Sequence, residues 1–156
     1  LNIDSVSRPR ILFVLSALAA TLWLQAWPDC MRYRRAIFLR IESCSELRAG
    51  CSHRALRLLE DAWMVDPSQL EIAAEMAELH RQNGQTGLGL DCLDRAVRLA
   101  LARPRELALV HGQRGRYLYA LGRYREAARD LRIALAWSPE DQALRLLLAD
   151  SRRSDT

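Results

Sequence analysis

Two copies of Gly-Arg-Tyr, Gly115-Arg116-Tyr117 and Gly122-Arg123-Tyr124, lie close together in the last third of the chain. Guanidinium groups interleaved with aromatic rings can grip phosphate and stack on bases, so anion or nucleic-acid binding is the first chemistry to weigh. The arginines from Arg103 to Arg132 extend the signal, but Glu106, Glu126 and Asp130 interrupt them. That mixture favours a solvated face over an anion-binding patch, and a nucleic-acid partner is not expected. His80 and His111 fall where a helix would pack, and His53 lies beside a turn. Cys30, Cys44, Cys51 and Cys92 form no C-x-x-C pair and no cluster with histidine, so no metal site is expected. Cys44 and Cys51 could approach each other across a helix–helix turn in an oxidising compartment; otherwise isolated thiols pack as small hydrophobes. No G-x-S-x-G, P-loop, H-E-x-x-H or dinucleotide fingerprint is present, and neither catalysis nor a cofactor is expected.

The elements that position these side chains follow from composition. At 156 residues, half of them hydrophobic, the chain has room for one domain, or for a small domain plus an anchor. Leucine, alanine and arginine dominate while aromatics are few, which is a composition for an all-α fold. The formal charge is +4, and all 23 basic residues are arginine, a bias spread along the chain that reads as codon usage. The chain opens on Leu1, consistent with a non-standard start codon or with a segment of a longer protein.

The run Ile11 to Trp27 carries no charge, and its only strongly polar side chain is Gln25. As a helix it would span about 26 Å, near the short end for a bilayer crossing. Arg8 and Arg10 precede it, Trp23 and Trp27 mark its far end, and Pro28 with Asp29 is predicted to close it. A transmembrane anchor over 11–28 that contacts the lipid bilayer through Ile11–Trp27 is the expectation. A cleavable signal peptide ending at Ala17-Leu18-Ala19 and a buried helix are the competing readings. Arg32, Arg34, Arg35 and Arg40 follow closely, which favours a cytoplasmic domain. A short basic tail (1–10) ahead of a long domain favours export, and a periplasmic domain on a bacterial inner membrane is the expectation.

Beyond Asp29 the chain repeats itself over 31–153. Gly50, Gly84 and Gly122 recur at intervals of 34 and 38. Five residues after each comes Ala55, Gly89 or Ala127; nine after, Leu59, Leu93 or Leu131; twelve after, Ala62, Ala96 or Ala134. That spacing makes one helix face small–large–small, which lets neighbouring helices approach closely. Pro67 and Pro139 terminate the helices, and Pro104, arriving late, predicts a longer helix in the middle unit. Each glycine also follows a helix-like run: Ile37, Phe38, Ile41, Cys44 and Leu47 form one apolar stripe, Ile72, Ala73, Met76, Ala77 and Leu79 another. Leu109, Val110, Tyr117, Leu118 and Leu121 form the third. The units fall near 36–69, 70–107 and 108–141, with an end helix over 142–152.

The pattern G-x-Y-x-x-A-x-x-x-L-x-x-A-L-x-x-x-P, best matched by Gly122, Tyr124, Ala127, Leu131, Ala134, Leu135 and Pro139 together with Gly115, resembles the tetratricopeptide repeat. The resemblance covers about 110 residues. It implies a short α-solenoid of about three helix pairs with a capping helix, curling so that the first helix of each pair lines a concave groove. Carried over position by position, the groove would present Arg40, Cys44, Leu47 and Arg48, then Glu71, Ala74, Glu78 and Arg81, then Leu109, Gly112, Arg116 and Tyr119. Chaperone-binding members clamp a terminal carboxylate with lysine and asparagine; Arg40 and Cys44 stand where that clamp would begin, with Glu75 and Glu78 further along, a poor match. Tyr124 is expected to pack within its repeat. The resemblance implies a membrane-tethered, non-enzymatic adaptor or scaffold that binds a protein or peptide through Arg40, Arg48, Glu71, Glu78, Arg81, Arg116 and Tyr119. Its setting would be a bacterial envelope assembly, secretion or polysaccharide system. The alternatives are a binder of anionic polymer through the arginine-rich third repeat, and a purely structural subunit of a membrane complex.

Overall fold

The computed structural model describes the backbone of residues 4–153 and the side chains of residues 26–153. Within them the chain is helical throughout: α1 (Asp4–Arg48), α2 (Ser52–Val65), α3 (Leu70–Gln82), α4 (Thr86–Ala100), α5 (Pro104–Ala120), α6 (Tyr124–Trp137) and α7 (Gln142–Arg153). Three tight turns, each built on a repeating glycine, join the helices pairwise. Gly50, Gly84 and Gly122 have φ of 78°, 75° and 75°, a region where a Cβ is strained. The residue after each glycine then donates its N–H back across the turn: Cys51 to the Glu46 carbonyl at 2.9 Å, Gln85 to His80 at 2.7 Å and Arg123 to Leu118 at 2.9 Å. Carbonyls that the helix end would leave unpaired are thereby satisfied.

The prolines divide their work. α2 ends at Val65 and α6 at Trp137, just ahead of Pro67 and Pro139. Pro104 instead opens α5, where its missing N–H costs nothing. α4 is accordingly one residue longer than α2 and α6, at 15 against 14. Pro28 departs from expectation: it does not close its helix, because α1 runs unbroken from Asp4 to Arg48. A mid-helix proline costs about 3 kcal/mol. The residues that follow it, Cys30 to Arg48, contain no glycine or second proline, so nothing diverts the chain from the same helix. Among the described residues no helix is long and apolar enough to cross a membrane. The side chains of Ile11 to Gln25, on which the expected span rests, lie outside the described residues.

Packing follows the small–large–small stripe. Ala55, Leu59 and Ala62 are buried on α2, Gly89, Leu93 and Ala96 on α4, and Ala127, Leu131 and Ala134 on α6. Gly115 brings α5 onto α6 so closely that a Cβ there would stand 2.9 Å from Leu131 Cγ. Gly89 makes room for the Tyr117 ring, whose hydroxyl donates to the Thr86 carbonyl at 2.9 Å. The first member of the doubled Gly-Arg-Tyr thus serves helix contact and the second makes a turn. On α3 the stripe Ile72, Ala73, Met76, Ala77 and Leu79 is buried as its spacing predicts.

On α1 the stripe fails. Phe38 and Ile41 are 66% and 64% exposed, Cys44 and Leu47 are exposed too, and the buried positions are Ala36 and Ser43, with Leu39 partly covered. The cause is the lack of a covering neighbour: α1 packs chiefly on α2, and among the described residues no other helix covers the side that carries Phe38 and Ile41.

The pairs stack in two layers. α3 touches α5 and α5 touches α7, whereas α2, α4 and α6 pack against odd-numbered helices and not extensively on one another. A layer whose helices meet directly is the inside of a curve. The odd-numbered helices therefore form the concave side.

Candidate functional site

Three clefts run along that inner layer, and Gln113 lines all of them. The first is a crevice between Leu70 and Glu71 of α3 and Leu109, Val110 and Gln113 of α5, floored by Leu93. A second of about 240 Å³ lies between Ala74 and Glu78 of α3 and Gln113, Arg116 and Ala120 of α5. The third and largest of these, about 540 Å³, is bounded by α5, the end of α6 and the start of α7. Because α5 borders all three, they form one interrupted groove along its inner face.

The expected groove residues are distributed unevenly over this surface. Glu71, Glu78 and Arg116 share clefts with Gln113. Glu78 accepts from Arg81 Nε at 2.8 Å and Nη2 at 2.6 Å, so the Arg81 guanidinium holds its carboxyl below the usual range. Arg40 reaches from α1 to α3, its Nε donating to Glu75 Oε1 at 2.8 Å and its Nη2 to the same oxygen at 2.5 Å. That bond raises the Arg40 pKa further. The basic residue standing where a carboxylate clamp would begin is thus already occupied by the protein's own carboxylate. Arg48 sits apart in the exposed last turn of α1, where a cation complements the helix C-terminus. Tyr119 is drawn towards α6 and α7: its hydroxyl donates to Asp150, and its ring meets Tyr124 edge-on at 5.4 Å.

Behind the groove a buried charge network ties the last units together. Asp130 of α6 is 3% exposed and accepts from Arg114 Nε at 2.6 Å, Arg114 Nη2 at 2.9 Å and His111 Nδ1 at 3.0 Å. Arg114 Nη1 reaches on to Asp94 Oδ1 of α4 at 2.6 Å. Bonding to Asp130 raises the Arg114 pKa, so the guanidinium stays charged throughout. Each partner is answered, which is what such burial requires. His80 is likewise buried, its Nδ1 3.0 Å from Gln85 Oε1. The arginines expected to form one face between Arg103 and Arg132 are partly spoken for. Arg103 pairs with Glu106, Arg114 with Asp94 and Asp130, Arg116 loosely with Asp141, and Arg123 with Glu126.

The four cysteines are free; Cys30 and Cys44 are exposed, and burial pushes the Cys92 thiol pKa up. Among the described residues no three His, Cys, Asp or Glu side chains are placed to hold a metal ion.

Sequence reasoning missed Arg105, Gln113 and Trp137 as lining residues. Arg105, Leu109, Gly112 and Arg116 follow one another by four, three and four positions. Extending the groove stripe back one turn would have found Arg105. Gln113 is one turn beyond Leu109, and Trp137 stands last on its helix, one turn past the buried Ala134.

No protein-family model and no curated protein matches this chain. Solved structures do. The first tetratricopeptide-repeat (TPR) domain of Spaghetti (RPAP3) bound to the HSP90 peptide SRMEEVD is similar at a TM-score of 0.63 and 16% identity, over 78% of this chain and 93% of that one. The TPR domain of Arabidopsis OM64 has a TM-score of 0.63 at 15% identity, over 78% and 98%. The second TPR domain of human RPAP3, in complex with the HSP70 peptide SGPTIEEVD, has a TM-score of 0.62 at 16% identity, over 78% and 98%. With its paired helices, glycine turns and inner groove, the chain has the tetratricopeptide-repeat fold.

Proposed function

We propose that this protein is a non-catalytic adaptor that holds a segment of a partner protein in the groove along α3, α5 and α7. The observation that carries the reading is the contrast between layers. The small–large–small stripe of the outer helices is consumed in packing, while the inner layer leaves clefts lined by Glu71, Glu78, Gln113, Arg116 and the exposed Leu109. Solved TPR domains of the same fold carry peptides of HSP90 and HSP70, which supports a peptide-like guest here. The Arg40–Glu75 bond argues against the same kind of guest, because a terminal carboxylate would have to displace Glu75.

The apolar run Ile11 to Trp27 supports a tether in a bacterial inner membrane, and the short basic tail ahead of a long domain supports a periplasmic helical domain, against the opposite pull of Arg32, Arg34, Arg35 and Arg40. Fixing the groove near a bilayer raises the local concentration of a membrane-associated guest, as an envelope assembly, secretion or polysaccharide system would use. A reporter fused after Thr156 tests the side: a cytoplasmic signal removes the periplasmic reading.

Photo-crosslinking in intact membranes tests the groove. A photoreactive residue at Gln113 or Glu78 should capture one discrete partner, and the same residue at Arg95 of outer helix α4 should not. Equal capture from both layers, or none from either inner position, overturns the groove as the binding surface.

A further inference from the structure

The largest of the three inner clefts, between α5, α6 and α7, has a chemistry that names what it would take. Its floor is low because Ala108, Gly112 and Ala134 carry little or no side chain beside Leu144. A Cβ on Gly112 would meet Ala134 Cβ at 3.5 Å and Leu144 Cδ1 at 3.7 Å, ordinary contact distances, so this part of the floor lies close against its neighbours. Two large apolar side chains stand at the cleft and are not covered: Leu109 is 47% exposed and Trp137 54%. Two guanidiniums share it. Arg105 is exposed and has no ion pair among the described residues. Among the described residues Arg116 has only Asp141 as an ion partner, at 3.8 Å, and that carboxylate also accepts the Leu144 N–H at 3.1 Å to cap α7. Asp141 is the single acid lining the cleft against two arginines. The cleft is therefore positive at its edges, apolar beside them, and wide enough for one bulky side chain.

We infer that this cleft is an anchor subsite for an internal acidic–apolar segment of the partner. An aromatic or leucine side chain would rest between Leu109 and Trp137, and a neighbouring Asp or Glu carboxylate would be gripped by Arg105 and Arg116. Complementary charge selects the acid, since arginine matches a carboxylate in two-point geometry. The exposed apolar pair selects the bulky neighbour, which gains by leaving water. Carboxylate recognition thus moves from the α1 end of the groove, where Glu75 occupies Arg40, to the α7 end. The inference rests on the groove reading above and specifies which part of the groove does the selecting.

The test uses the full chain in mild detergent and a fluorescein-labelled peptide, Gly-Ser-Asp-Phe-Glu-Leu-Gly-Ser, blocked at both ends. Two controls replace Asp and Glu by Asn and Gln, or Phe and Leu by Ser. Fluorescence anisotropy should show binding of the parent peptide and at least tenfold weaker binding of both controls. Arg105→Glu with Arg116→Glu should weaken the parent at least tenfold, and Trp137→Ala about fivefold, while Arg95→Glu on the outer layer leaves it unchanged. Arg105→Gln with Arg116→Gln guards against misfolding, because it keeps length and polarity while removing the charge. Equal affinity for all three peptides, or insensitivity to the cleft variants, overturns the inference. So does binding that appears only when the peptide's C-terminus is a free carboxylate, or labelled heparin binding with the same arginine dependence and no dependence on Trp137. If the photoreactive residue at Gln113 still captures its partner in a chain carrying the double glutamate change, the subsite fails and the groove stands. If the peptide does not bind and no inner position captures a partner, both readings fall.

Discussion

In the third helix pair α5 lies on α6 with no room for a Cβ at Gly115, and Ala127, Leu131 and Ala134 are buried. In the first pair, Ala55, Leu59 and Ala62 of α2 are buried just as fully, yet α1 shows Phe38 and Ile41 to solvent. The two pairs share the same turn and the same stripe on the second helix; they differ in neighbours. α5 is flanked by α3, α4, α6 and α7, whereas α1 packs chiefly on α2. In a stacked array the spacing of apolar residues states which face can be buried, and the adjacent unit decides whether it is.

Mutations can break that comparison. The largest effect is expected at Leu131→Ala, where a side chain with no exposure leaves a cavity beside Gly115: about 3 kcal/mol lost in urea unfolding followed by circular dichroism. A loss below that of a surface change would mean that α5 and α6 are not tightly joined. Gly115→Ala comes next at about 2 kcal/mol, because the added methyl must push Leu131 aside. The same assay reads it, and an unchanged midpoint would contradict the close approach. Gly50→Ala and Gly122→Ala should each cost about 1 kcal/mol, since both turns need positive φ whatever their neighbours. That near-equality sharpens the comparison, because it separates turn chemistry, common to both pairs, from packing, which is not. The smallest effect belongs to Phe38→Ser with Ile41→Ser, within about 0.5 kcal/mol for each change in the isolated chain. A loss of several kcal/mol would show that the α1 stripe is covered in solution.

The parts legible in the sequence were those that recur. Gly50, Gly84 and Gly122 announce the turns because glycine adopts that backbone without strain, and the stripe at five, nine and twelve positions announces the buried face. The network of Asp94, His111, Arg114 and Asp130 was not legible, since its members come from three helices. Asp130 did carry a signal: it lies three residues after Ala127 and four before Ala134, on the buried face, where a carboxylate demands a partner. The candidate site was legible by helix and turn, less so by residue. Counting positions located Glu71, Glu78 and Arg116 on the inner layer, but could not show that Arg40 is satisfied by Glu75 or that Tyr119 is drawn to Asp150. Those outcomes depend on which long side chain meets which across separate helices.

α1 serves as both the leading element and the first helix of the array, with no hinge between those roles. Its 45 residues make a shaft about 68 Å long at the usual rise. Turning one end of such a shaft turns the other by the same angle, so the compass bearing of the groove is set by residue count. One residue inserted after Asp29 would swing the whole array by about 100° around the α1 axis while lifting it only about 1.5 Å. Seven inserted residues would return it to within about 20° of its original heading, now about 10 Å further out. Length and aim are coupled through a single screw, and a chain lengthened by helical turns keeps the groove's heading that a chain lengthened by half-turns would lose.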